Sequence, residues 1–335
     1  MLNFTIRRLV MAVPTVIIIS LLIFLLLDLA PGDPTAQLPL TIPLEVRDEI
    51  RLALGLGDPV IVRYFKWLQM MLVNEPLHAL EQVTGWNVAP DTQRILSWQS
   101  RSPVGDIIAQ RIPQTLWVVG MGYLFGILIA LPIGIISAYK QYSWFDQLGT
   151  FIAMVGFSVP VFFTGVVLIL VFSVWLGWFP SMYDTTLRVT DWDSFMRQVR
   201  QMVLPVSVLA LFNAAQISRF MRASMLDNLN MDYVRTARAK GLRERTVVMV
   251  HVLRNSMIPV VTVIALGVPS VFSGAIITET IFRVNGLGAL LINAIYANDI
   301  PMIQTLTFIF AVLIVLFNLI ADVIYGILDP RIRYD

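Results

Sequence analysis

Six runs of this chain pass 18 or more consecutive positions without a charged side chain, a pattern that points to a lipid solvent. A helix crossing the hydrocarbon core of a bilayer needs about 20 mostly apolar residues. The uncharged runs hold 19 residues between Arg8 and Asp28, 28 between Arg111 and Lys140, and 37 between Asp146 and Asp184. Three more hold 18 between Arg200 and Arg219, 24 between Arg254 and Glu279, and 22 between Asp299 and Asp322. They predict six membrane helices, over 9–29, 115–138, 149–176, 202–225, 257–282 and 303–327. The expected fold class is an all-α polytopic membrane protein. Composition agrees: 14% of the residues are charged, against about 25% in soluble domains.

The 37-residue run is too short for two spans and a turn, so it reads as one helix ending in an aromatic belt at Trp175, Trp178 and Phe179. The first run exceeds the usual apolar core of a signal peptide, and no small-residue cleavage site follows it, so a retained helix is expected.

Basic residues in short loops set orientation. With six spans, the side holding both termini carries thirteen of them: Arg7, Arg8, Lys140, the eight from Arg219 to Arg254, Arg331 and Arg333. The opposite short loops carry four: Arg188, Arg197, Arg200 and Arg283. Both termini and loop 226–256 are expected on the cytoplasmic side of a bacterial inner membrane. Segment 31–114 is expected outside, between the first span (1–30) and a core of five spans (115–335). Within it, Pro43 to Leu54 and Val60 to Leu72 show helical spacing of apolar residues. The first of these ends at the breaker Gly55-Leu56-Gly57-Asp58-Pro59. The segment fits a lid packed on the spans and a docking surface for a soluble partner equally well.

The chain has no cysteine, which removes disulfides, thiolate metal sites and cysteine nucleophiles. Its two histidines, His78 and His251, lie far apart, so neither a metal site nor a catalytic role is expected.

Loop 226–256 is the most informative extramembrane piece. Tyr233 to Lys240 predicts a short basic helix. Asn230 or Asp232 is the expected cap, and Gly241 a left-handed stop. Thr236, Ala237 and Ala239 are small enough for close approach by another surface. Glu244 to Asn255 is a second amphipathic stretch leading into the fifth span. Two readings stand side by side: a helix held at anionic headgroups, and a helix docking into a groove on a cytoplasmic protein.

Polar groups inside a membrane are costly, about 2.5–3.5 kcal/mol for a mid-bilayer charge on insertion scales, so they face protein or water. Candidates for a translocation pathway are Asn213, Gln216, Ser270, Ser273 and Glu279. Thr278, Asn318 and Asp322 belong to the same class. The competing role for each is helix–helix hydrogen bonding, worth about 0.6 kcal/mol on average. Glu279 and Asp322, at span ends, are also explained as interfacial.

Residues 233–242, Tyr-Val-Arg-Thr-Ala-Arg-Ala-Lys-Gly-Leu, resemble the ATPase-coupling loop of binding-protein-dependent ABC importer permeases in its dipeptide/oligopeptide (and nickel) form. The general pattern is Glu-Ala-Ala, three residues, then Gly. Ala237 and Gly241 match it, Arg235 stands at the glutamate position and Thr236 at the first alanine. Further elements follow the family's order. They are Pro31-Gly32-Asp33-Pro34, Leu54-Gly55-Leu56-Gly57-Asp58-Pro59, Arg111-Ile112-Pro113-Gln114-Thr115-Leu116 and Ser158-Val159-Pro160-Val161-Phe162. Then come Leu176-Gly177-Trp178-Phe179-Pro180, Leu253-Arg254-Asn255 with Pro259, Glu279-Thr280-Ile281-Phe282, Gly286-Leu287-Gly288 and Asp329-Pro330-Arg331. The first of these resembles the first-listed permease of the pair. Segment 75–101 is longer than in many members.

The resemblance implies a permease subunit forming half of the translocation pathway of an ATP-driven importer for peptides or similar small solutes. Its implied partners are a second homologous permease, two cytoplasmic ABC ATPase subunits and an extracytoplasmic solute-binding protein, set in membrane lipid, with no nucleic acid. Asp232, Tyr233, Arg235, Thr236, Ala237, Arg238, Ala239, Lys240, Gly241 and Leu242 are the implied ATPase-coupling residues. The chain has no GxxxxGK[ST] phosphate loop. ATP and Mg are thus expected on the partner subunits, with no cofactor, metal or catalytic residue in this chain. An ion-gradient-driven transporter would want an ionisable group deep in a span and often an internal repeat. A membrane enzyme would want convergent catalytic groups. The sequence offers little for either.

Overall fold

The computed structural model describes residues 2–29, 43, 45, 57–86, 88, 92–273 and 275–328. The Pro31–Pro34 element, nearly all of the 43–54 stretch and the residues from Asp329 onward lie outside that set. The helices are α1 (Leu2–Asp28), α2 (Val60–Gln69), α3 (Glu75–Thr84), α4 (Val104–Tyr139), α5 (Trp144–Ser158), α6 (Val161–Trp175) and α7 (Trp192–Leu229). There follow α8 (Asp232–Ala239), α9 (Glu244–Phe272), α10 (Ile276–Phe282), α11 (Leu287–Tyr296) and α12 (Ile300–Leu328). Among the described residues the only β feature is an isolated bridge, Leu96 to Pro103.

Five helices are long and apolar enough to cross a bilayer, and α5 with α6 qualifies only as one bent span. That bend corrects the single helix expected over 149–176: the two halves meet at 105°. The cause is local. A proline ring excludes the helical region for the residue before it and supplies no N–H. Val159 accordingly sits at φ −79°, ψ 126°, and its N–H closes α5 on the Val155 carbonyl at 2.9 Å. Pro160 then starts α6, its carbonyl accepting from the Phe163 N–H at 3.0 Å. The fifth span also differs from expectation. It begins at Glu244, and α10 is set off from it at Ala275, whose φ −103°, ψ 78° is not helical.

The chain folds into two compact units. One comprises Met1–Val10, Pro113–Ala289 and Leu316–Asp335; the other Met11–Ile112 and Leu290–Val315.

The first unit is built on α7. Of its most apolar stretch, 61% is buried, against 11% for α1. Its main partner is α4, which offers a row of small residues every fourth position: Gly122, Gly126, Ala130, Gly134 and Ala138, all buried. A Cβ on Gly122 would lie 2.6 Å from Leu209 Cβ, on Gly126 2.7 Å from Asn213 Cβ, and on Gly134 2.6 Å from Met221 Cβ. The facing positions on α7 also step by four, so two such ridges interlock. In a membrane, where helices gain nothing by leaving water, this close approach is what drives association.

The second unit packs residues 57–112 onto the described part of α1 beyond Val10 and onto the first half of α12. Phe24, Tyr64, Trp67 and Phe308 stack with ring centroids 5.4–5.8 Å apart along the chain of neighbours. Arg63 pairs with Asp28 at 2.6 Å, and Ser20 Oγ bonds the Tyr64 hydroxyl at 2.9 Å. Arg94 joins Glu75 (3.0 Å) and Asp106 (2.9 Å). Asp299 accepts from the backbone N–H of Trp98 at 3.0 Å and from that of Met302 at 3.4 Å, holding a turn and the start of α12 together.

Candidate functional site

The short helix α8 spans Asp232–Ala239, as its spacing predicts. Its stop is left-handed: Gly241 has φ +76°. The Gly241 N–H donates to the Arg238 carbonyl at 2.9 Å and the Leu242 N–H to the Ala237 carbonyl at 3.4 Å, the pair of hydrogen bonds that satisfies carbonyls orphaned at a helix end. The expected side-chain cap is absent. Met231 occupies the cap position without a side-chain bond, and Asn230 turns back to the Leu226 carbonyl at 3.2 Å. Asp232 lies inside the first turn and pairs with Arg235 at 3.4 Å.

Two residues hold α8 down. Val234 and Ala237, three apart on one face, are buried in the same core as Val247, Val248 and Val252 at the start of α9. Arg238 closes the far end with a fork onto Glu244, Nε to Oε2 at 3.1 Å and Nη2 to Oε1 at 2.7 Å. That carboxylate raises the already high pKa of Arg238. Tyr233 donates its hydroxyl to Asn228 Oδ1 at 2.8 Å. The opposite face, with Tyr233, Arg235, Thr236, Ala239 and Lys240, is exposed, as are Gly241 and Leu242. A rigid, braced helix with a basic outer face and small residues at its end can take a partner surface without reorganising.

The pathway candidates separate. Asn213 is engaged in the α4–α7 interface, its amide donating to the Leu209 carbonyl at 2.8 Å. Gln216 and Ser270 are exposed, Ser270 Oγ donating to the Gly267 carbonyl at 2.6 Å. The Ser273 side chain lies outside the described set. Glu279 is fully buried. Its carboxylate accepts from Thr115 Oγ1 (3.0 Å) and from the Ala289 N–H (2.8 Å), while Thr115 Oγ1 accepts from the Leu287 N–H at 2.7 Å. A Cβ on Gly286 would lie 2.2 Å from Glu279 Oε1, so a larger residue there would push the carboxylate off its present hydrogen bonds. Three sequence elements, around Thr115, Glu279 and Gly286-Leu287-Gly288, thus meet at one buried node that their separation along the chain hid. Asp322 pairs with Arg8 at 2.9 Å.

A cavity of about 1030 Å³ runs between α4, α6 and α7 past Trp117, Phe125, Phe172 and Met202. Its polar side chains are Gln114, Gln198, Ser207 and the indole of Trp117, and no titratable side chain lines it. No acid or base lines the cavity to activate the Ser207 hydroxyl. Among the described residues no group of three His, Asp or Glu could hold a metal ion.

Comparison with known proteins gives the same direction. Residues 130–334 match the binding-protein-dependent transport system inner membrane component, and residues 1–119 match the N-terminal part of the corresponding membrane component. The oligopeptide transport system permease protein AppB of Bacillus subtilis is 38% identical over 99% of both chains. A putative peptide transport system permease protein of Brucella abortus is 35% identical over 98% of both. The glutathione transport system permease protein GsiC of Escherichia coli is 37% identical over the full length of both. This chain belongs to the binding-protein-dependent transport system inner membrane component family, and is a multi-pass permease subunit of an ABC importer rather than an enzyme.

Proposed function

We propose that this permease supplies one half of an import pathway for peptides or related small solutes, and that α8 receives the force of ATP hydrolysis. The carrying observation is the shape of α8: inner face buried through Val234 and Ala237, outer face exposed, end locked at Gly241. A headgroup anchor would turn its apolar side toward lipid, yet here that side is spent on α9. In this reading 232–242 seats in a cleft of a cytoplasmic ATPase subunit. Two such ATPases bind ATP and Mg, a second homologous permease completes the pathway, and an extracytoplasmic binding protein delivers the solute. Both termini and loop 226–256 face the cytoplasm, in keeping with thirteen basic residues on that side against four opposite. Segment 31–114 lies outside, against which the binding protein docks. Gln216 and Ser270, exposed on α7 and α9, are the pathway residues the geometry supports best.

The test is assembly. The tagged permease is purified from cells expressing the genes beside it. Co-purifying ATPase subunits, with hydrolysis stimulated by the binding protein, support the reading. A permease that transports alone under an ion gradient refutes it.

A further inference from the structure

The stretch of α7 from Met221 to Met225 is held on three sides before the chain turns into α8. Arg222 reaches α5 with a fork, Nε to Asp146 Oδ1 at 2.6 Å and Nη2 to Oδ2 at 2.8 Å. Only 4% of the Asp146 side chain is exposed. The same carboxylate accepts the Tyr142 N–H at 2.9 Å and so fixes the turn before α5. Two residues on, Ser224 Oγ donates to the Ser256 carbonyl at 2.8 Å, a tie to α9, while the single proton of Ser256 Oγ is shared between the Val252 carbonyl at 2.9 Å and the Ser224 carbonyl at 3.2 Å. Met221 and Met225 are fully buried, Met221 filling the notch left by Gly134 of α4.

These ties differ in kind. The contacts to α4 are apolar packing in a glycine notch. The tie to α9 is to the helix on which α8 is itself braced. The tie to α5 is a bidentate ion pair, which fixes angle as well as distance. Beyond it α5 runs as an unbroken strut to the elbow at Val159–Pro160, where α6 departs at 105°. Leu229 ends α7 and Asp232 begins α8, so displacement of α8 reaches Arg222 within two helical turns.

We propose that Arg222 and Asp146 form the joint through which movement of α8 is passed to α5 and, across the Val159–Pro160 elbow, to α6. Arg222 is a positioning residue: it touches no solute and acts through Asp146. The inference rests on the reading of α8 as the ATPase contact. A buried pair can also be a staple with no part in motion, and the experiment separates the two.

The chain has no cysteine of its own, so exposed Leu148 on α5 and Val174 on α6 can be replaced by cysteine and spin-labelled. The complete transporter is reconstituted in lipid nanodiscs. The label–label distance is read by pulsed electron resonance without nucleotide and with ATP plus vanadate, beside ATP hydrolysis. With Arg222 in place the distance shifts. Arg222→Gln, which leaves the Tyr142 turn its acceptor, abolishes the shift while hydrolysis continues. Arg222→Lys, which keeps charge without the fork, retains part of it.

An undiminished shift in Arg222→Gln overturns the joint. So does loss of assembly in both variants, which marks a staple. A parallel Tyr233→Cys cross-link to the ATPase apportions failure. If the cross-link forms but the distance never shifts, the joint alone falls. If no cross-link forms, the reading of α8 falls and takes the joint with it.

Discussion

Gly126 of α4 and Asn213 of α7 stand so close that a Cβ on the glycine would lie 2.7 Å from the Cβ of the asparagine. The contact is one rung of a ladder that also joins Gly122 to Leu209 and Gly134 to Met221. The severest rung is Gly134, where the same Cβ would also lie 2.8 Å from the Ser218 carbonyl oxygen, a backbone atom that cannot swing aside.

Gly134→Ala is therefore expected to destabilise the first unit by about 1–3 kcal/mol, the usual cost of overpacking. Gly120→Ala is the control: its Cβ would meet only Val271 at 3.6 Å, and alanine in a helix gains up to about 1 kcal/mol over glycine. Thermal unfolding in detergent should show a lowered midpoint for the first and an unchanged or raised one for the second. Equal behaviour would remove the close-packing account.

The buried Glu279 node makes a second prediction. Glu279→Ala strands the Thr115 hydroxyl and the Ala289 N–H, at about 1–3 kcal/mol for each donor left without a partner. Thr115→Ser keeps both hydrogen bonds and should be nearly silent. The yield of folded, monodisperse permease measures both, and a well-folded Glu279→Ala protein would contradict the node's role.

Gly241 gives a sharper test than size. Nothing lies within 4 Å of a Cβ built there, so its constraint is handedness alone, φ +76°. A β-branched residue in that region costs about 1–2 kcal/mol or more, whereas asparagine enters it readily. Gly241→Val should loosen the end of α8 and lower transport per ATP hydrolysed, while Gly241→Asn should work. Equal losses in both variants would point to contact with the glycine surface rather than to backbone geometry.

Asp299 ties the 97–99 turn to the start of α12. Asp299→Ala removes a helix-terminal acceptor worth about 0.5–2 kcal/mol and frees the turn. Limited proteolysis should then cut faster between residues 85 and 103. An unchanged cutting pattern would show that the turn is held by other contacts.

How far the fold could be read from sequence depended on the kind of signal. Four of the six uncharged runs fall inside one described helix each, because the cost of a charge in lipid is large and local; the run after Asp146 is divided between α5 and α6, and the run after Arg254 between α9 and α10. The break at Pro160 was not legible. Pro14, Pro113, Pro132, Pro205, Pro259 and Pro269 all sit inside continuous helices of the same chain, so proline alone does not mark a break. A uniformly apolar run has no periodicity to betray one either. The ladder on α4 was visible as Gly122, Gly126, Ala130, Gly134 and Ala138, but a search for uncharged runs counts small and large residues alike. The α8 helix and its left-handed glycine followed from local propensity. Its cap did not, because Asn230 spends its amide on the Leu226 carbonyl in the last turn of α7 rather than on the start of α8. The meeting of Thr115 with Glu279 depends on tertiary packing across 164 positions, which motif order cannot supply.

The central claim is that the outer face of α8 is covered by an ATPase subunit. Arg235, exposed on that face, can be replaced by cysteine and its rate of reaction with a polar maleimide compared in the isolated permease and in the assembled transporter. The account predicts rapid reaction in the permease alone and strong protection in the complex, with protection at buried Val234 the same in both. Equal, rapid reaction of the Arg235→Cys side chain in both preparations would contradict it.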